Sequence, residues 1–327
     1  MRVAPEALGK ALCRHFTRLG LPEEGAKAVA EVLLQAELEG LRSHGLARLP
    51  IYTAQLEKGG LNPTPEMRFL RPRPGFLLVE ADGAPGPWAA WRAAEALAPL
   101  VREQGVAAAA VRDAGHVGPL GPYVRRLALE GLVGLAFANT PPALAPGPVL
   151  GTNPIALAAP MEPEPLVVDL ALSTVSRGKI LEKAQRGEAI PPDWAVDSEG
   201  RPTTDPQAAL SGALLPLGGS KGLALAVLVE VLAGAMAGHK LGIDLPLPWQ
   251  EPGARAFPGF LLLGLDPDPV SPGLGTLLAR LRAAVEDTGG RMPGDRRVRE
   301  RERRLKEGIE VPQELWRTLV EEVKGDG

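Results

Sequence analysis

Residues 106–121 read Val-Ala-Ala-Ala-Ala-Val-Arg-Asp-Ala-Gly-His-Val-Gly-Pro-Leu-Gly. The first six are apolar on both faces, the pattern of a strand buried inside a sheet. Doubly wound dinucleotide-binding folds place Gly-x-Gly-x-x-Gly directly after such a strand. That fingerprint is missing. The strand leads instead into Gly115-His116-Val117-Gly118-Pro119-Leu120-Gly121, with glycines three apart and a histidine among them. Such a loop, opening a helix, lets backbone N–H groups approach a phosphate. It offers an anion site without a Rossmann fold.

On either side, further apolar runs of strand length fall at Phe76–Glu80, Leu132–Ala138, within Val149–Ala159, at Leu166–Leu172 and at Phe260–Leu265. Helical spacing covers about 88–104, 120–130, 174–186, 220–237 and 273–288 between them. Strands and helices thus intermix from about 71 to 288. The first 60 residues read as helices only, over about 5–19, 22–41 and 46–57, with Gly20 and Gly59-Gly60 as stops. The segment 296–306 interleaves arginines with Glu300 and Glu302, as a solvated helix does. The expectation is an α/β body (71–288) beside a helical domain (1–70, joined by 289–327).

The junction at 41–50 reads Leu-Arg-Ser-His-Gly-Leu-Ala-Arg-Leu-Pro. Ser43 is placed to cap the third helix, and His44 and Arg48, four apart, would then share one face. A forked guanidinium beside an imidazole suits a substrate whose carboxylate adjoins a carbonyl or an alcohol. A cap and a turn with no chemistry is the alternative. Other polar clusters close strands: Gly151-Thr152-Asn153-Pro154, Asp169 to Ser173, and Arg177-Gly178-Lys179. Gly218-Gly219-Ser220-Lys221-Gly222 opens an apolar helix and forms a plausible anion cradle, without Walker spacing. No His, Cys or carboxylate set has metal-ligand spacing. Ser43, His44 and Asp169 leave a hydrolase conceivable, but Ser43 and His44 are adjacent and no Gly-x-Ser-x-Gly elbow occurs. His15, near an apolar face, reads as structural.

Composition narrows the class. The net charge of -3 gives no footprint for nucleic acid. The one cysteine, Cys13, cannot form an internal disulfide, which fits a reducing cytoplasm. No secretory leader is evident, and the longest apolar run, Gly222–Ala237, contains Glu230 and falls short of a membrane span. Asparagine occurs only at 62, 139 and 153. Few amides with many prolines and arginines is the bias of a heat-adapted protein, and equally that of a GC-rich genome. It also marks Asn139 and Asn153 as worth attention.

Nine segments in order resemble one family, the type 2 malate/L-lactate dehydrogenases, which include sulfolactate, ureidoglycolate and diketogulonate enzymes and imino-acid reductases. They are Ser43–Pro50, His116–Leu120, Asn139-Thr140, Gly151–Pro154, Asp169–Ala171, Arg177–Ile180, Pro202–Pro206, Leu215–Gly222 and Met292–Arg297. The resemblance implies a non-Rossmann, mixed and largely antiparallel sheet wrapped by helices, in a homodimer. It implies an oxidoreductase moving a hydride between NAD, or NADP, and a small 2-hydroxy or 2-oxo acid. A cyclic imino acid or a sugar-derived 2-oxo acid is the alternative substrate; a non-catalytic dinucleotide-binding protein is the alternative class. Carried over by position, His44 is the acid/base with Ser43 beside it, and His116 and Lys179 are further catalytic candidates. Arg48, Thr152, Arg177 and Gly178 would meet the substrate. The cofactor would contact His116, Val117, Gly118, Pro119, Leu120, Thr140, Asp169, Leu170, Ala171, Gly219, Ser220, Lys221, Met292, Pro293, Gly294, Arg296 and Arg297. Where the family carries Asp-Met-Ala-Thr-Ser this chain has Asp169-Leu-Ala-Leu-Ser173, so Leu172 lacks a hydroxyl. Which of His44 and His116 moves the proton stays open.

Overall fold

The alanine-rich run 106–111 does form the middle of a sheet, for a packing reason. In the computed structural model, which describes residues 1–247, 249–255 and 257–321, Ala107, Ala109 and Val111 pack into one cluster and Ala108 into another. Alternate residues of a strand face opposite sides. Small side chains on both sides let helices approach the sheet closely from above and below.

In chain order the strands are β1 (Arg2–Val3), β2 (Arg68–Arg73), β3 (Phe76–Ala84), β4 (Val106–Ala114), β5 (Val133–Ala138), β6 (Ile155–Ala159), β7 (Leu166–Leu170), β8 (Ala195–Val196), β9 (Ala213–Leu214), β10 (Phe260–Leu265) and β11 (Ile309–Glu310). The helices are α1 (Pro5–Arg18), α2 (Glu23–Leu38), α3 (Leu49–Glu57), α4 (Gly86–Gln104), α5 (Gly121–Leu129), α6 (Arg177–Arg186), α7 (Pro206–Ser211), α8 (Ser220–Val229), α9 (Leu274–Asp287), α10 (Asp295–Glu307) and α11 (Gln313–Glu321). Helix α8 continues as a π-helix over Glu230–Gly238.

Seven strands form the main sheet in the order β2-β3-β4-β10-β5-β6-β7. Only the β3–β4 pair is parallel; every other neighbour runs antiparallel. The mixed, largely antiparallel sheet is therefore as expected. Helices α4 and α5 cover one face, with Ala93, Leu97, Val124 and Leu127 fully buried. The 220–238 helix covers the other, inserting Ala226, Val229 and Ala233. Helices α1, α2 and α3 build a separate core of Leu8, Phe16, Val29, Leu33 and Tyr52, into which Ile309 and Leu319 return from the far end of the chain. β1 pairs with β11, so the first strand of the chain meets the last described one.

Three expectations need correcting. The helix expected over 46–57 begins at Leu49, and the one over 22–41 ends at Leu38. The run judged too short for a membrane is not short: Ser220–Gly238 is a 19-residue helix, apolar enough to span by length and composition. About 44% of it is buried inside the protein, and Glu230 lies within that buried face. This is the behaviour of a core helix with one open side.

Candidate active site

Between α2 and α3 the chain makes two 3₁₀ turns, Arg42–His44 and Leu46–Arg48, broken at Gly45. Ser43 therefore caps no helix. Its hydroxyl lies 2.9 Å from His44 Nδ1 instead. His44 and Arg48 do not share an α-helical face either; Arg48 is held by its own Nε, which donates to the Ser43 carbonyl at 2.8 Å. The physical reason is Gly45. A Cβ there would sit 2.3 Å from Glu37 Oε1, so the chain is drawn against α2 and cannot enter a continuous helix.

The loop 115–121 folds against this turn. Gly115 and His116 backbone atoms press on Gly86, where a Cβ would approach the Gly115 carbonyl to 2.1 Å. The His116 ring then stacks on His44, with centroids 5.9 Å apart and planes 29° from parallel. Tyr52, buried on α3, hydrogen-bonds His116 from below. Its hydroxyl is 2.8 Å from Nδ1 and 3.2 Å from the His116 carbonyl oxygen. The one hydroxyl proton serves the carbonyl or Nδ1, according to the ring tautomer, and in either case Tyr52 leaves Nε2 untouched.

Electrostatics follow from this crowding. Burial first, then the Arg48 and Arg297 charges, pull the His44 pKa down to about 3. Burial, Arg48 and His44 likewise hold His116 well below its usual value. Both imidazoles are neutral at pH 7. The proton donor near neutrality expected for His44 is thus absent from the resting site, because a cation and a dry wall disfavour a second positive charge. Among the described residues no carboxylate lies within ion-pair distance of Arg48. A half-buried guanidinium without an anion is a receptor for one.

A second polar cluster lies behind Thr140 and Thr152. Asn139 and Asn153, both fully buried, donate to the Glu230 carboxylate at 3.1 and 2.7 Å, and the Gly242 N–H adds a third bond at 2.6 Å. The Asn139 carboxamide oxygen accepts from Gly259 N–H at 2.8 Å, and that of Asn153 from Thr140 N–H at 3.1 Å. Asn153 holds φ at +38°, a region this residue type tolerates. The result is a rigid turn on which Thr140 Oγ1 accepts from Thr152 N–H at 2.9 Å. Glu230 stands where α8 turns π-helical, a register change often found at functional sites.

The remaining candidates divide. Asp169 accepts from Gly121 N–H at 3.0 Å and pairs with Arg297 at 3.3 Å, so it ties β7, the His116 loop and α10 together. Leu170 is 39% exposed beside it, and Ala171 is half-buried. Gly178 faces the site: a Cβ there would approach Ser43 Cβ to 2.9 Å. Its neighbours turn away. Arg177 donates to the Leu210 carbonyl, and the exposed Lys179 places its ammonium 4.9 Å over the Trp194 ring. Val117 and Leu120 are core residues, leaving the Gly118-Pro119 backbone of that loop for a ligand. Met292 is also core, packed with Met161 and Leu166, while Pro293 and Arg296 are exposed. Gly294 approaches Val167 so closely that a Cβ would meet its carbonyl at 2.6 Å. Leu172, in place of the family's hydroxyl, is simply buried. His15, as expected, is structural, 2.8 Å from Thr53 Oγ1.

Tyr52, Glu37 and Glu230 were missed. Tyr52 had a signal, since it stands one helical turn after Arg48 and tyrosine occurs only twice. A dinucleotide fits what is present. Gly218 and Gly219 both take positive φ with open space above them, at the start of α8, beside exposed Ser220 and Lys221. Free N–H groups and a cation at a helix N-terminus hold a phosphate.

Comparison with known proteins agrees with this geometry. The malate/L-lactate dehydrogenase family profile matches residues 3–320. A (2R)-3-sulfolactate dehydrogenase (NADP(+)) of Chromohalobacter salexigens is 41% identical over 90% of this chain and 90% of its own. A delta(1)-pyrroline-2-carboxylate reductase of Burkholderia ambifaria is 35% identical over 94% and 93%. The crystal structure of delta1-piperideine-2-carboxylate reductase from Pseudomonas syringae superposes with a TM-score of 0.91 at 33% identity, over 98% of this chain and 99% of that one. A match spanning both the helical ends and the sheet leaves no room for a chance likeness: the chain belongs to the malate/L-lactate dehydrogenase family.

Proposed function

We propose that the chain is an NAD(P)-dependent oxidoreductase that interconverts a small 2-oxo acid and its 2-hydroxy acid at the His44–His116–Arg48 cluster. The observation that carries this reading is Arg48, a guanidinium without an anionic partner among the described residues, set beside two stacked neutral imidazoles. Arg48 holds the substrate carboxylate. A bound nicotinamide supplies or accepts the hydride at the adjacent carbon. In oxidation neutral His44 takes the hydroxyl proton. In reduction it must first be charged, and the carboxylate on Arg48 offsets the cation that keeps it neutral. Ser43 fixes the His44 ring through Nδ1, and Tyr52 fixes His116. Gly118-Pro119, Thr140, Asp169–Ala171, Gly219–Lys221, Gly294, Arg296 and Arg297 would hold the dinucleotide, and Thr152 and Gly178 would border the substrate.

The imino-acid reading is the same hydride chemistry on a C=N bond, and the pyrroline-carboxylate and piperideine-carboxylate relatives favour it as the second choice. An activity matrix tests both: NADH and NADPH against pyruvate, oxaloacetate, 3-sulfopyruvate and a cyclic imino acid, monitored at the reduced-nicotinamide absorbance. Turnover of one of the acids is expected. Binding of the dinucleotide with no turnover of any substrate would leave a non-catalytic binding protein.

The division into a helical unit (1–70 with 289–327) and an α/β unit (71–288) belongs to this proposal, supported by the separate helical core. So does a cytoplasmic homodimer. The open side of the 220–238 helix exposes Leu225, Leu228, Val231 and Met236, continued by Leu241 and Ile243. An apolar face of this kind on a globular protein is an association surface. Light scattering of the wild type and of Leu228→Glu tests it, with the variant expected as a monomer. Heat adaptation is supported by linked surface ion pairs, such as Arg2 and Arg303 on Glu307, with Arg303 also on Glu300.

A further inference from the structure

The turn that carries His44 is not self-supporting. Its backbone is fixed from behind by a carboxylate that no part of the reaction uses. Glu37, near the end of α2 and 4% exposed, accepts the Leu46 N–H at 2.8 Å through Oε1. The carboxyl lies flat on Gly45, in the space a Cβ would need. Behind Glu37 stands Arg304 of α10, 7% exposed. Its Nη1 is 3.5 Å from Glu37 Oε2 and also donates to the Glu37 main-chain carbonyl. Its Nε donates to Glu300 at 2.6 Å, which fixes the guanidinium on its own helix. Gly40, at positive φ, lets the end of α2 lie against Glu300.

The same helix controls the second histidine loop. Arg297, two turns before Arg304, pairs with Asp169, which accepts the Gly121 N–H behind His116. Both imidazoles therefore take their position from α10, one through Arg304–Glu37 and the other through Arg297–Asp169.

We propose that Glu37 and Arg304 are positioning residues for the reaction: the buried pair is a strut from α10 that seats the Ser43–Leu46 turn and sets His44 against His116 and Arg48. This rests on the reading of that cluster as the reaction site. A pair kept only for stability would not need its carboxylate against the one glycine of the turn. Nor would it need a hydrogen bond to the first N–H after the break.

The test uses the full chain with Glu37→Ala, Glu37→Gln and Arg304→Lys. Each is measured for melting temperature, dinucleotide affinity by tryptophan fluorescence, kcat and KM, and imidazole nitrogen NMR, which is tractable with four histidines. Glu37→Ala is expected to lower kcat about 10–100-fold, the cost of a small misplacement of a reacting group, with dinucleotide affinity within about 3-fold. Its His44 nitrogen signals should shift while those of His15 and His239 stay. Glu37→Gln should recover most of kcat, because its amide oxygen still accepts the Leu46 N–H. Arg304→Lys should fall between them, since a single ammonium nitrogen cannot hold Glu300 and reach Glu37 from two positions as the guanidinium does. Should Glu37→Ala fail to fold, the other two variants decide: kcat within about twofold of wild type in both overturns the proposal. So does a loss in Glu37→Gln equal to that in Glu37→Ala, with affinity and melting temperature falling in step. Failure of the underlying reading looks different. His44→Ala would then keep its turnover, while the His44 signals in Glu37→Ala still report on the strut.

Discussion

Two polar clusters sit within this fold, one fully buried around Glu230 and one half-buried around His44, and they are built on opposite plans. Around Glu230 every group is engaged: three N–H donors meet the carboxylate, and both asparagine oxygens accept from the backbone. Around His44 the groups are left short. Among the described residues Arg48 has one hydrogen bond, from Nε to the Ser43 carbonyl, and no carboxylate partner. Each histidine is fixed through Nδ1, which leaves Nε2 for something else. Saturation makes a cluster structural, because any buried group left unmet costs free energy. A cluster that leaves donors and acceptors open is arranged around a ligand. The first cluster holds the Thr140–Thr152 turn still; the second performs chemistry beside it.

The largest challenge to this contrast is Glu230→Ala. It strands two carboxamides and a backbone N–H, and should cost about 3–5 kcal/mol of unfolding free energy in denaturant titration. A loss under about 1 kcal/mol would mean that the saturated cluster is not structural. Glu230→Gln should be milder, since the amide oxygen still accepts.

Arg48→Lys comes next. It should raise KM for the 2-oxo acid roughly 10–100-fold, with melting temperature nearly unchanged, because an ammonium cannot form the two parallel bonds of the fork. Unaltered KM would move the carboxylate site elsewhere.

A pH dependence with a definite sign sharpens the same contrast without any substitution. His44 is held near a pKa of about 3 in the free site. Oxidation uses the neutral ring, so its kcat/KM should be level from about pH 5 to 8. Reduction needs the charged ring, whose population falls about tenfold per pH unit above that pKa, so its kcat/KM should fall by the same factor. A bell-shaped reduction profile centred near the ordinary histidine value of about 6.5 would show that Arg48 and burial do not perturb His44.

Much of this was legible in residues 106–121. Apolarity on both faces placed β4, and the absent glycine fingerprint removed the Rossmann fold from consideration. Strand order and antiparallel sense were not readable from periodicity, which reports burial and not partners; the antiparallel sense came with the family resemblance, and the order only with the structure. Asparagine scarcity pointed to Asn139 and Asn153, and both proved to be centres of the saturated cluster. Their partner was hidden because Glu230 stands in an apolar run that looked merely interrupted. The Ser43 cap failed for a long-range reason. Glu37 and Gly45 interlock only when α2 and the turn are packed, and Arg304, which completes the contact, lies 267 residues further on. Lys179 and Arg177 had the right neighbours in sequence, but Trp194 and the Leu210 carbonyl take their charges.

The mechanism turns on which buried group moves the proton. Steady-state kinetics of His44→Ala and His116→Ala, with dinucleotide binding measured on the same samples, separates the two. His44→Ala is expected to lose kcat by about 10²–10⁴-fold with dinucleotide affinity retained, and His116→Ala to lose less. Turnover unchanged in His44→Ala and abolished in His116→Ala would contradict this assignment and transfer the acid/base role to the ring that Tyr52 holds.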